Sequence, residues 1–174
     1  MVTILDNYLP DNDHQMIKET MFSNSFPWTV GQITSYGDDL QLCHMFYWQS
    51  NTQSSYPIVN PIIHKINPFQ WVRIKANLNL KTSEIVEHKF HYDFGHKNME
   101  SAIYYVNSND GYTKFEDGTK VDSVANRLVK FPTTMKHTGT SCTNTSRRIV
   151  INFNYFPNLT ETPHLLIKDI LEDN

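Results

Sequence analysis

Residues 148–155 read RIVINFNY, a run in which polar and apolar side chains largely alternate. In a β-strand, neighbouring side chains point to opposite faces. If Arg148 points inward, every second residue after it does so too, and Ile149, Ile151 and Phe153 form the outer face. Large apolar side chains on the outside require a covering layer of helices, and polar ones on the inside suit a cavity. The stretch therefore predicts a strand of a barrel-like fold, with Arg148 inside.

Short β-type segments separated by Asn, Asp, Gly and Thr clusters surround this strand. They are Trp71–Leu80, Phe90–Asp93, Ala102–Asn107, Tyr112–Phe115, Thr119–Ser123, Arg127–Phe131, Lys136–Thr138 and Arg148–Tyr155. Short strands at close spacing are typical of two-sheet jelly rolls and cupin-like barrels. The sequence predicts a mainly β protein with flanking helices and a double-stranded β-helix (jelly-roll or cupin-like) core over residues 71–156.

Residues 1–70 and 157–174 flank this core, and we expect residues 1–174 to form a single domain. The first region is predicted to supply supporting helices and strands, and the second a short covering helix. The predicted elements are helices at Asp11–Phe22, Val59–Ile66 and Pro163–Leu171 and strands at Thr29–Thr34 and Leu42–Trp48.

The composition gives no support to several classes of protein. With 15 Lys+Arg against 18 Asp+Glu, the formal net charge is -3, which gives no general attraction to nucleic acid or anionic membranes. Cys43 and Cys142 are too few and too far apart for a disulfide scaffold or a zinc clip. No run approaches the roughly 20 apolar residues of a membrane span. We expect a soluble, cytoplasmic protein.

The segment Phe90-His91-Tyr92-Asp93-Phe94 carries a pattern typical of metal ligands. On a strand, His91 and Asp93 point to the same face, so an imidazole and a carboxylate can reach one ion. A distant histidine would complete a facial triad that leaves coordination positions open for small molecules, and His137 is the candidate. Because a single His-x-Asp pair is common by chance, the prediction depends on the residues that follow.

An arginine pair, Arg147 and Arg148, comes one strand after His137. Arginine binds a carboxylate through two parallel hydrogen bonds, as a dicarboxylate with its other end on a metal would require. Strand alternation favours Arg148 as the inward residue, which leaves Arg147 as a charge on the rim. The order His-x-Asp, His, Arg is much rarer than any of its parts.

These residues resemble the prolyl hydroxylase branch of the iron(II)- and 2-oxoglutarate-dependent oxygenases, especially the small prolyl 4-hydroxylase-like enzymes of some bacteriophages. The similarity extends over roughly residues 71–156. It is carried by His91–Asp93, Ser101–Asn107, Gly111–Phe115, Arg127–Phe131, His137 and the arginine pair. The Ile-Tyr-Tyr-Val-Asn segment looks like the family strand whose second tyrosine donates to the distal carboxylate of 2-oxoglutarate, which is Tyr105 here.

The resemblance implies catalytic iron(II) on His91, Asp93 and His137, with 2-oxoglutarate as co-substrate and O2 as oxidant. It further implies ascorbate as an accessory reductant. The expected reaction hydroxylates a proline in a peptide or protein and converts 2-oxoglutarate to succinate and CO2. A phage-encoded enzyme would act in the host cytoplasm. The family places its basic residue nine or ten positions after the histidine, whereas Arg148 is eleven after His137, so Arg147 stays open as the alternative.

Other functions remain open from the sequence. A cupin-like module could keep the metal ligands without catalysis, and two histidines with an aspartate could also hold the zinc of a hydrolase. An oxygenase could instead modify another protein side chain, a free amino acid or a damaged base. The acidic balance disfavours nucleic acid, since phosphate contacts dominate its binding. The oligomeric state is not indicated.

Overall fold

The computed structural model describes residues 1–32 and 40–158. In chain order, the elements are β1 (Thr3–Leu5), α1 (Asp11–Phe22), β2 (Thr29–Gln32), β3 (Leu40–Trp48), β4 (Asn51–Thr52), a 3-10 helix (Tyr56–Val59), α2 (Asn60–Ile66), β5 (Gln70–Leu80), β6 (Glu100–Tyr105), β7 (Tyr112–Phe115), β8 (Lys120–Asp122), β9 (Arg127–Pro132), β10 (His137–Gly139) and β11 (Arg147–Phe156).

A large antiparallel sheet has the strand order β1-β9-β6-β11-β5-β3-β2, with β4 paired to β3. Strand β11 lies at its centre between β6 and β5. Val150 of β11 is opposite Tyr105 on one side and Asn77 on the other. A register shift follows Asn154. The central position means that both edges of β11 are hydrogen-bonded over most of its length.

A smaller sheet has the order β10-β7-β8. Isolated bridges join Glu87 to Thr140 and His91 to His137, so the segment 87–91 runs beside β10 and continues this sheet. The two sheets together form a double-stranded β-helix. The predicted strand at Phe90–Asp93 is wrong as a regular strand, because only the single bridge at His91 pairs it.

The outer face of the large sheet is covered by the two helices. Ile149, Ile151 and Phe153 are fully buried there and share one cluster with residues of the helices, among them Ile17 and Ile62. Strand alternation therefore places the apolar residues of β11 as the sequence predicts. This layer fixes which side of β11 faces the interior.

The space between the two sheets has an apolar end and a polar end. The apolar end contains Ile103, Tyr105, Phe115, Val121, Val129, Phe131 and Val150. The polar end is a cavity of about 700 Å³, into which Arg148 and Asn152 face. The fold thus builds one closed core and one open site between the same two sheets.

The other predicted elements agree with the structure to within about two residues at most ends. Helix α1 begins at Asp11 and ends at Phe22 as predicted, and seven of the eight predicted core segments become β5 to β11. Strands β1 and β4 were not predicted. The C-terminal helix at Pro163–Leu171 and the last residues of the predicted strand Thr29–Thr34 lie outside the described residues. Within residues 1–32 and 40–158, no helix has the length and apolar character needed to cross a bilayer.

We predict that Ile151→Ala lowers the free energy of unfolding by about 2–5 kcal/mol, since it leaves a cavity at a fully buried position. Urea denaturation measures the change. Leu80→Ala is the control, because Leu80 is 62% exposed on the neighbouring strand; its cost is expected to stay below about 1 kcal/mol. Equal effects of the two changes would contradict the packing described here.

Candidate metal centre

His91, Asp93 and His137 come together at the polar end of the cavity. One ligand atom from each lies within 4.8 Å of the others. The imidazoles are paired, with ring centroids 4.8 Å apart. Two nitrogen donors and one carboxylate at such separations can share a single divalent ion. Within the described part of the chain, this is the one cluster of at least three His, Cys, Asp or Glu side chains with that geometry.

The backbone positions the two histidines directly. The amide of each donates to the carbonyl of the other, with N to O distances of 3.0 Å in both directions. The His137 ring also packs against Phe131, with centroids 4.8 Å apart, and against Phe115. Burial lowers the pKa of His137, which favours the neutral imidazole that binds metals.

The Asp93 carboxylate is buried among hydrogen-bond donors. Arg73 donates to Oδ1 at 2.6 Å, while Ser101 and Asn154 donate to Oδ2 at 3.1 and 2.9 Å. Asn154 also contacts Arg73 Nε and Ser101, so the donors form one network. Such a network orients the carboxylate and holds it in place.

The charge of Asp93 is stabilised in this setting. Burial alone would raise the pKa of the carboxyl. The charge of Arg73 and the hydrogen bond from Asn154, with smaller contributions from the nearby His137 and His91 rings, outweigh burial and hold the pKa of Asp93 well below its usual value. The side chain is therefore ionised at neutral pH, as a metal ligand must be.

Arg148 points into the cavity and is 2% exposed. Its Nε donates to Ser123 at 2.8 Å and its Nη2 to Thr113 at 3.3 Å, and the described residues include no carboxylate in a salt bridge with it. Burial lowers the pKa of Arg148, because a buried cation with only neutral partners is costly. The cavity therefore contains a cationic group suited to an anionic ligand.

Tyr105 lies beside this arginine. The Arg148 guanidinium carbon is 5.7 Å from the centroid of the Tyr105 ring, and the Tyr105 hydroxyl donates to Thr113 at 2.8 Å. Thr113 thus accepts from both side chains and faces the cavity itself. Burial raises the pKa of Tyr105, so its hydroxyl keeps its proton.

Arg147 is on the other side of the sheet. Its guanidinium carbon lies 5.2 Å from the ring centroid of Phe22, on helix α1, and its Nε has no hydrogen-bond partner. Neighbouring residues of a strand cannot both face the cavity. Arg147 is not among the residues that line the cavity; it is half-buried at the start of β11, beside the last residue of helix α1.

Gly111 allows the arginine to lie where it does. A β-carbon at this position would be 2.7 Å from Arg148 Cδ and 2.5 Å from the Ser141 carbonyl oxygen. Both distances are shorter than real contacts of that kind. Any other residue at position 111 would therefore displace the backbone or the guanidinium.

Several residues at the site were missed by the sequence interpretation. Arg73 was not predicted as a site residue, but it forms an ion pair with Asp93. Ser101, Thr113 and Ser123 were not singled out, although each contacts a predicted site residue. The alternation used for Arg148 also places Asn154 inward, so the same argument applied to β11 could have found that contact with Asp93.

The sequence matches no protein-family model, and no curated protein matches it. Solved structures do match. A prolyl hydroxylase from Trichoplax adhaerens, in complex with a hypoxia-inducible factor oxygen degradation domain peptide fragment, is similar with a TM-score of 0.66 and 14% identity, over 90% of this chain and 83% of that one. A prolyl-4-hydroxylase from Pseudomonas putida is similar with a TM-score of 0.56 and 12% identity, over 90% and 92%.

A third similar structure is the epimerase SnoN in complex with Fe3+, alpha ketoglutarate and nogalamycin RO. Its TM-score is 0.63 with 9% identity, over 90% of this chain and 78% of that one. At such identities the likeness concerns the fold. The protein has the double-stranded β-helix fold that is found in 2-oxoglutarate and Fe(II) oxygenases.

We predict that Arg73→Gln lowers the free energy of unfolding by roughly 3–5 kcal/mol at neutral pH, because it leaves the Asp93 charge buried without its cation. Because the pKa of Asp93 is lowered in the folded protein, its ionised carboxylate stabilises the fold at pH values above the ordinary carboxyl pKa. This stabilisation is lost as the pH falls through the folded-state pKa. The variant should have a higher Asp93 pKa and hence lose stability at a higher pH. Denaturant unfolding as a function of pH measures both effects.

Arg127→Gln is the matched control. Arg127 contacts Asp6 at 2.6 Å as well, but the Asp6 side chain is 53% exposed, so the cost should be below about 1 kcal/mol. If the Arg127 and Arg73 variants behaved alike, the burial of the Asp93 charge would not be the cause.

Proposed function

We propose that this protein is an iron(II)- and 2-oxoglutarate-dependent dioxygenase. The observation that carries the proposal is a buried arginine, Arg148, which faces the cavity and forms no salt bridge with a carboxylate of the described residues. His91, Asp93 and His137 line the same cavity. A metal centre alone would suit several classes of protein. A metal centre together with a buried cation in the same cavity suits a ligand that chelates metal and carries a second carboxylate.

The residues present fit the metal. Two imidazoles and one ionised carboxylate form the two-histidine, one-carboxylate set typical of non-haem iron(II), which leaves open positions for a co-substrate and oxygen. His91, Asp93 and His137 would hold the ion. When bound, iron supplies the oxidative chemistry that couples decarboxylation of 2-oxoglutarate to succinate and CO2 with hydroxylation of a carbon. Arg73, Ser101 and Asn154 position Asp93.

The chain's own part in co-substrate binding follows from the charges. Arg148 would hold the 5-carboxylate of 2-oxoglutarate, with the Thr113 hydroxyl beside it as a donor, and the Tyr105 hydroxyl donates to Thr113 and orients it. Ser123 keeps the guanidinium oriented through its contact with Nε. Because the guanidinium is already buried and oriented, little side-chain entropy is lost when the carboxylate binds.

Peptidyl proline is the substrate that we propose. Two of the similar solved structures are prolyl hydroxylases. Around the cavity, exposed aromatic rings are available to the apolar ring of proline, and two of them, Trp48 and Phe94, stack with centroids 6.2 Å apart. Phe90 and Tyr92 line the cavity and are 41% and 47% exposed. Another protein side chain or a free amino acid is the alternative.

The central prediction concerns turnover. Protein supplied with iron(II), 2-oxoglutarate, ascorbate and a panel of proline-containing peptides should produce succinate and a 16-dalton mass increase in a peptide, as followed by mass spectrometry. His137→Ala should abolish both products, since only two metal ligands would remain. Removal of metal by a chelator should do the same, with recovery on added iron(II). Metal binding without succinate from any substrate would favour a non-catalytic cupin-like module.

A second prediction compares the two adjacent arginines. Arg148→Gln should weaken binding of 2-oxoglutarate to the metal-loaded protein by at least about tenfold, because a buried carboxylate loses its charged donors. Arg147→Gln should change it less than about twofold, since Arg147 is on the outer face. Calorimetry without oxygen measures both affinities. A large loss in the Arg147 variant alone would contradict the assignment.

A further inference from the structure

Three polar side chains form a second feature of the cavity wall, separate from Arg148 and from the three metal-ligand candidates. Lys75 and Asn77 are inward residues of β5, and Asn152 is the inward residue of β11 directly opposite Lys75. Along these two paired strands, the three residues lie between two other inward pairs of opposite residues. One is Arg148 with Asn79, and the other is Asn154 with Arg73, beside Asp93. We name these three residues the β5–β11 polar group.

The two asparagines of the β5–β11 polar group lack the side-chain hydrogen bonds that the neighbouring asparagines on the same strands make. Asn77 and Asn152 are each 9% exposed, and their Oδ1 atoms have no hydrogen-bond partner. By contrast, the next inward residues along the two strands are paired: Asn79 donates to the Thr140 carbonyl and Asn154 to Asp93. The fold can therefore satisfy asparagines on this wall, and it does so on both sides of the group.

Lys75 is also without an ion pair. None of the salt bridges between described residues includes it, although it is half-buried. Burial lowers the pKa of the Lys75 ammonium, Cys43 and Asp93 oppose this shift, and the positive charge of Arg73 adds to it. A half-buried cation without an ion pair and two buried carboxamide oxygens without partners each cost free energy, and the cost is recovered when a ligand supplies the partners.

We propose that the β5–β11 polar group is a substrate subsite. It binds a substrate that carries an anionic group near the reacting carbon, with an N–H or O–H donor next to that group. Lys75 would take the anionic group, a carboxylate in particular. The Oδ1 atoms of Asn77 and Asn152 would accept from the donor. This proposal rests on the proposed function, because it takes the cavity to be the place where substrate and co-substrate meet.

The hydrogen-bond donor that the β5–β11 polar group needs is not one that the co-substrate offers. In the proposed function, 2-oxoglutarate uses its 5-carboxylate on Arg148 and its other end on the metal. It carries neither N–H nor O–H when ionised, so it cannot donate to the two carboxamide oxygens. The cavity of about 700 Å³ has room for a second small molecule or side chain. The substrate is therefore the better source of the missing groups.

The subsite narrows the substrate class within the proposed function. A proline flanked by neutral residues inside a chain offers no carboxylate to Lys75. A free amino acid does, and so does a proline followed by an acidic residue. We therefore expect the preferred substrate to carry a carboxylate next to the modified residue.

The experiment measures binding without turnover. The full chain, loaded with iron(II) and 2-oxoglutarate in the absence of oxygen, is titrated calorimetrically with two matched pairs of probes. The first pair is L-proline and L-prolinamide. The second is the blocked tetrapeptide Gly-Pro-Glu-Gly and its Gly-Pro-Gln-Gly counterpart. We call the member of each pair that carries the carboxylate the acidic probe and its amide counterpart the neutral probe. In at least one pair the acidic probe should bind about ten- to a hundredfold more tightly, as expected for a charged hydrogen bond.

Lys75→Met should reduce that ratio to about one while the neutral probes keep their affinity. Lys81→Met removes the same charge from an exposed residue outside the cavity lining and should leave the ratio unchanged. Ligand-free Lys75→Met should melt at the same temperature as the parent or higher, because it removes an unpaired charge. A lower melting temperature would indicate a structural role for Lys75 and overturn the proposal.

Two further outcomes would overturn the subsite. One is that neither acidic probe binds more tightly than its neutral partner. The other is that Lys75→Met weakens 2-oxoglutarate as much as it weakens the acidic probe, which would make the group a co-substrate contact. Absence of succinate in the turnover assay would disprove the proposed function alone, since preference for the acidic probe does not require turnover.

Discussion

Strand β11 has to satisfy two opposite environments at once, and the remaining architecture depends on how it does so. The apolar side chains on its outward face are buried beneath the helices, whereas Arg148, Asn152 and Asn154 face the space between the sheets. A register slip of one residue would put the arginine under the helices and an isoleucine in the cavity. The helix layer therefore fixes the position of the cationic group as firmly as any contact inside the cavity does.

The two buried charges of the cavity are treated differently by the fold. Asp93 receives a cation and two neutral donors, so its charge is compensated within the chain. Arg148 receives only hydroxyl groups from the described residues. Compensated and uncompensated charges have distinct roles in such a site, because the first orients a ligand atom and the second attracts an external anion.

Strand alternation made much of this fold and site predictable. The parity of β11 favours Arg148 as the inward residue from sequence alone, and seven of the eight segments predicted from Trp71 onward become strands β5 to β11. The exception, Phe90–Asp93, has too little pairing to be a strand, and its geometry comes from one bridge to His137. Pairing between distant segments is not encoded in local periodicity.

The contacts around the site residues were less predictable for a related reason. Arg73, Ser101 and Thr113 acquire their roles from the strand that lies opposite, and register is a property of the folded sheet. The short strands β1 and β4 gave no detectable pattern, because two or three residues are too few to show a period. A local sequence signal thus identified the candidate ligands, and their supporting residues needed the structure.

The backbone pair between His91 and His137 has a consequence for how the chain reaches its final state. The two residues are far apart in sequence, and their imidazoles meet only once the edge of the smaller sheet has closed. Closing so long a loop is entropically costly. An ion bound to both imidazoles would cross-link the two segments, so that metal occupancy and closure of the sheet would be thermodynamically linked.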